Sequence, residues 1–141
     1  MSDTEIANNK RNIDRFNQAR NDAIEAINEI ILGVLSNVKL AANAWLNSET
    51  AGSIMDRLSI LSLKIKAMTF QRDQQTKNPE RSQELQLKLQ QLETQRHDLA
   101  MSLDRLLHGF AQGTAYFKQY RQHKMYNDPT LNPYLNGTYR Q

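Results

Sequence analysis

Asp56, Arg57 and Lys64 stand in a segment whose other side chains are mostly apolar, "IMDRLSILSLKI". An ionised group in such a place needs a partner, because an unpaired buried charge costs several kcal/mol, on the order of 3–5 when one member of a pair is lost. Near the C-terminus, "YRQHKMYNDPTLN" supplies the opposite inventory: Tyr120, Arg121, Lys124, Tyr126, Asn127, Asp128 and Asn132. Arg121 and Lys124 are candidate partners for Asp56, and Asp128 for Arg57 or Lys64. A phosphate-bearing sugar needs cations for its phosphate, amide side chains for its hydroxyls and an aromatic face for its ring. Those residue types are all here. The plainer reading is that the acid and the cations form an ion-pair network that fixes helix register, and that "YNDPTLNP" is a helix stop followed by turns.

The elements that must position these groups are helical. Ile24, Ile27, Ile31, Val34, Val38, Ala41 and Trp45 follow a 3–4 spacing, which predicts a first helix over about 8–46. Thr50 is a suitable N-cap for a second helix, 51–75. On it, Ile54, Leu58, Leu61, Ile65 and Met68 share one face, and Ile60, Leu63, Ala67 and Phe70 the nearly opposite one. A helix apolar on two sides is expected to be buried on two sides. Asp56 falls on the second of these faces; Arg57 and Lys64 share a boundary stripe with Ser53.

Asn78 followed by Pro79 opens a third helix, expected over 79–126. A single heptad phase runs from Leu85 through Leu89, Leu92, Leu99, Leu103, Leu106, Phe110 and Phe117 to Tyr120, interrupted by Arg96 and Gly113. Asp128 before Pro129 ends it, leaving a tail over 127–141. The expected fold is all-α: one domain, 1–141, an elongated bundle of three long antiparallel helices with an irregular C-terminal tail. The excess length of the first and third helices asks for a second copy, so a homodimer is expected.

Composition narrows the chemistry. The 141 residues contain no cysteine, which removes thiolate nucleophiles, disulfides and Cys-based metal sites. No Gly-rich phosphate loop and no serine on a Gly-flanked strand-to-helix turn occurs. Neither a signal peptide nor a membrane span is expected, and the location expected is cytoplasmic. The net charge of +3 comes wholly from residues 115–141, where Lys118, Arg121, Lys124 and Arg140 face Asp128 alone. An anionic partner should therefore meet the tail first. Four cations interrupted by an acid are too few for a nucleic-acid surface.

His97, Met101, Asp104 and His108 share a stripe, and Asp104 with His108 has zinc-ligand spacing; a solvated helix face explains them as well. Glu25, Glu29 and Asp56 could hold magnesium between helices, yet the paired acidic motifs of the all-helical nucleotide pyrophosphatases are absent. No cofactor or metal is expected.

"SETAGSIMDRLSILSLKI" and "FKQYRQHKMYNDPTLNP" together resemble the uncharacterised bacterial family called domain of unknown function 4254. The likeness spans most of 10–135. In that family a proline usually stands where this chain has Ala51, and an aromatic where it has His123. The resemblance implies a small helical protein encoded among glycosyltransferase and cell-surface polysaccharide genes, with no settled activity. It marks Asp56, Arg57, Ser59 and Lys64, and Tyr120, Arg121, Lys124, Tyr126, Asn127, Asp128, Asn132 and Pro133. The expected function is binding of an anionic sugar-type ligand where the tail meets the second helix. The alternative is an adaptor that binds another protein through its helical seams.

Overall fold

The computed structural model describes residues 1–120 and Thr130. Among these residues the chain forms α1 (Asp3–Val34), β1 (Trp45–Leu46), α2 (Ala51–Asp73), α3 (Pro79–Gln112) and β2 (Ala115–Tyr116). The all-α bundle expected from the sequence is the fold, with one short strand pair added.

α2 and α3 make the hairpin on which everything else rests. Thr50 caps α2 by accepting from the Ser53 amide at 3.1 Å, and Asn78 caps α3 by accepting from the Arg81 amide at 3.1 Å, with Pro79 in the first turn. Each cap satisfies one orphan donor of a first turn. Arg72 donates to Gln86 at 2.7 Å, which ties the end of α2 to the start of α3. At the other end Ala51 and Ile54 pack with Leu106 and Phe110. The two helices are therefore antiparallel.

The core sits at this second end. Ala51, Ile54, Leu106, Phe110, Ala115 and Phe117 are buried together, and Ile31, Leu32 and Leu35 of α1 and its exit pack against them. The Phe110 and Phe117 rings lie 5.2 Å apart, a separation at which tilted aromatic pairs attract.

Both outer helices differ in extent from the expectation. α1 begins at Asp3, because Ser2 and Glu5 form a capping box. The Glu5 carboxyl is held below its usual value, first by the hydrogen bond from the Ser2 amide and then by the Ser2 hydroxyl. α1 ends at Val34 instead of about 46, and Leu35 to Asn37 form a turn. α2 stops at Asp73, two residues short of the expected 75.

α3 ends at Gln112 instead of about 126. Gly113 takes the left-handed conformation, φ 76°, while its own amide donates to Phe110 O at 3.2 Å and the Thr114 amide to Gly109 O at 2.8 Å. This is a Schellman stop. The heptad spacing continues past it to Phe117, which is buried, but the backbone there is extended. Tyr120, the last member of the expected seam, is 75% exposed.

The segment after α1 wraps over this stop. Ala41 N–H donates to Gly113 O at 2.8 Å, Trp45 N–H to Thr114 O at 3.1 Å and Asn47 N–H to Tyr116 O at 2.8 Å. β1 and β2 thus pair in parallel, Trp45 opposite Ala115 and Leu46 opposite Tyr116.

The expectation that α2 is buried on two sides holds for one side only. Its second face is covered where it meets α1, but Leu63 and Phe70 are 69% and 63% exposed. α1 crosses α2 near its first turns and then diverges, so that residues 8–20 are all exposed.

Candidate functional site

The α1–α2 crossing is built around one asparagine. Asn28, 2% exposed, lies between isoleucines on the inner side of α1. Its side chain donates to Thr50 Oγ1 at 2.9 Å and accepts from the Gly52 amide at 2.7 Å. Gly52 allows this approach: a Cβ there would lie 2.7 Å from both Asn28 Oδ1 and Ile24 O. One buried side chain thus joins α1 to the cap of α2 and satisfies an orphan amide of its first turn. Three amides of this helix start are taken. The Gly52 amide goes to Asn28, the Ser53 amide to Thr50 Oγ1 and the Ile54 amide to Thr50 O.

Beside this joint lies a cavity of about 290 Å³. Arg20, Asn21, Ile24, Glu25 and Asn28 of α1 form one wall, Thr50, Ser53 and Asp56 of α2 the second, and Gln119 and Tyr120 the third. Asp56 pairs with Arg20 at 3.5 Å; the acid side chain is 15% exposed, the arginine 51%. A pair this long and this open contributes at most about 1 kcal/mol, so the fold does not depend on it. Among the described residues Gln119 Oε1 is buried with no hydrogen-bond partner. The walls offer carboxylates, amides, hydroxyls and one aromatic ring, the set that recognises sugar hydroxyls.

Of the candidate residues, Asp56 and Tyr120 line this cavity together. Arg57 and Lys64 do not join them. They line a groove of about 490 Å³ between α2 and α3, with Gln95, Asp98 and Ser102. Arg57 pairs with Glu49. Arg121, Lys124, Tyr126, Asn127, Asp128 and Asn132 lie outside the described residues. Of the two marked by resemblance alone, Ser59 donates to the Asp56 backbone carbonyl at 2.7 Å, and Pro133 also lies outside the described residues.

Arg20 and Asn28 were not among the candidates. The signal for Asn28 was an amide set inside a run of isoleucines; that for Arg20 was a cation on the stripe of α1 that leads to Asp56. A further feature adjoins the α2–α3 groove at Ser102. There Trp45 and Arg105 line a hollow of about 300 Å³ with Asn47, and the guanidinium lies 5.8 Å from the indole centroid. Among the described residues, no group of three His, Asp or Glu side chains is placed to share a metal.

The family described as Protein of unknown function (DUF4254) matches residues 1–119. No curated protein and no solved structure matches the chain. No helix among the described residues is long and apolar enough to cross a membrane.

Proposed function

The chain belongs to the DUF4254 family of unknown function, and on that footing we propose that it binds an anionic sugar-type ligand at the α1–α2 cavity. The observation that carries this reading is the position of Gln119 and Tyr120. The last described residues before the basic tail form a wall of the cavity that holds Asp56. The sugar hydroxyls meet Asp56, Ser53, Gln119 and Glu25, and the ring lies against Tyr120. The anionic group is taken by Arg121 and Lys124, which follow Tyr120 in sequence and belong to the segment that carries the net charge. Arg20 holds Asp56 until the ligand arrives. The proposal includes a homodimer and a bacterial, cytoplasmic role in cell-surface polysaccharide assembly, the role that the resemblance of its two motifs implies.

The test is a thermal-shift panel of nucleotide sugars, sugar phosphates, free sugars and inorganic phosphate on the wild type and on Asp56→Ala. A ligand at 100 times its Kd adds about 2.7 kcal/mol, which raises the midpoint by several degrees. The expected result is a shift with a phosphorylated sugar that neither phosphate nor free sugar reproduces and that Asp56→Ala abolishes. The unliganded midpoint of that variant stays within about 3 °C of wild type, as a half-exposed pair requires. A flat panel, or a shift indifferent to Asp56→Ala, refutes the reading and leaves the adaptor alternative.

A further inference from the structure

Two helices carry stripes of uncovered apolar side chains. On α1, Ile6, Ile13 and Phe16 are 52%, 55% and 65% exposed. On α2, Leu63 and Phe70 are bare and Ile60 is half-buried. Neither stripe is an isolated accident. At 100° per residue Ile6 and Ile13 lie within about 20° of Ile24 and Ile31, the side chains with which α1 meets the body of the protein. On α2, Ile60, Leu63, Ala67 and Phe70 continue the face on which Gly52 and Asp56 meet α1. Both stripes are therefore extensions of one existing interface.

Their spacings also match. Read antiparallel, Ile6 falls opposite Phe70, Ile13 opposite Leu63 and Phe16 opposite Ile60. The same register places Arg20 opposite Asp56 and Ile24 opposite Gly52, which are contacts the structure makes. The chain's own α1 does not reach that face. It is a single helix with neither Gly nor Pro between Asp3 and Leu32, and the close approach at Gly52 fixes its direction. A helical stretch of this length is marginal in water without a packing partner.

We infer that the bare face of α2 is covered by the first half of α1 from a second copy of this chain, reciprocally about a two-fold axis. The partner helix lies antiparallel to α2 with Ile13 against Leu63. This rests on the homodimer in the reading above and adds the surfaces and the register. Two-fold symmetry buries Ile6, Ile13, Phe16, Leu63 and Phe70 twice over, an interface on the order of 1,000 Å², as specific association requires. It also places the partner helix against the stretch of α2 that follows Asp56, so the cavity is flanked by both copies.

The absence of native cysteine gives a clean test. The double variant Ile13→Cys/Leu63→Cys is oxidised and run on a non-reducing gel, while light scattering gives the mass of the wild type. The expected result is a dimeric wild type and a covalently cross-linked dimer of the variant, with neither single cysteine variant cross-linking to more than about a tenth of that extent. As a check independent of the cross-link, Phe16→Glu converts the wild-type dimer to a monomer. A monomeric wild type overturns both the homodimer and this interface. A dimeric wild type whose double variant forms an intrachain disulfide, or none, with Phe16→Glu still dimeric, overturns the interface and leaves the homodimer standing.

Discussion

Gly113→Ala lowers the unfolding midpoint by roughly 5–15 °C, about 2–4 kcal/mol. Two costs add. The residue has φ 76°, where a Cβ meets its own carbonyl, a penalty on the order of 1 kcal/mol for Ala. A Cβ would also collide with the backbone carbonyl of Lys39, and a backbone atom cannot swing aside as a side-chain end can. Relief of that collision must lift the 38–41 segment from the end of α3. The hydrogen bond from Ala41 to Gly113, and then the strand pair that seats Trp45, are the next contacts in line. Scanning calorimetry measures the loss. Gly113→Asn separates the two costs, because Asn tolerates the left-handed region but still carries a Cβ. It should recover only the conformational part. A Gly113→Ala variant within about 1 °C of wild type would mean that the segment after α1 does not seat on the α3 terminus as described.

Asn28→Ala costs about 2–4 kcal/mol. The substitution deletes two side-chain hydrogen bonds at once and leaves the Gly52 amide without its acceptor. The site is 2% exposed, so water does not replace either partner without a rearrangement of the crossing. An unsatisfied buried donor alone costs about 1–3 kcal/mol, and the void adds to it. Hydrogen exchange gives the local signature: the Gly52 amide loses protection, while those in the middle of α3 change only as much as global stability falls. A cost under about 0.5 kcal/mol would show that the isoleucines, and not the Asn28 joint, hold α1 to α2.

The α2–α3 hairpin was legible because its signals are local and agree with one another. Thr50, Asn78 and Pro79 mark the starts, and Leu85, Leu89, Leu106 and Phe110 give the buried seam. The ends of α1 and α3 were not legible. Val38 and Phe117 keep the spacing of the helices that precede them, yet the chain around both is not helical. Apolar spacing reports which side chains reach the core, and extended segments folded back on a helix end can reach it too. Gly113 was readable only as a gap in the seam; the Lys39 carbonyl that packs on it is a contact remote in sequence.

The site was legible in part for a similar reason. Asp56 stood out because it is chemically at odds with its neighbours, and Tyr120 as an aromatic of the C-terminal polar segment; they do share a cavity. The partner of Asp56 was sought in the basic tail by composition, whereas the structure supplies Arg20, from a stretch of α1 with no motif to mark it. Arg57 and Lys64 were read as a boundary stripe with Ser53. That stripe divides: Ser53 lines the Asp56 cavity, and Arg57 and Lys64 line the groove between α2 and α3.

The central claim is that the α1–α2 cavity is the ligand site. The most direct measurement is amide chemical-shift mapping of the isotopically labelled protein, titrated with the phosphorylated sugar that gives the largest thermal shift. The account predicts that the largest saturable changes fall on Ser53, Asp56, Gln119 and Tyr120, with Gln95 and Ser102 unmoved. Changes centred on Gln95, Ser102 and the Trp45 indole, with the Asp56 cavity silent, would contradict it.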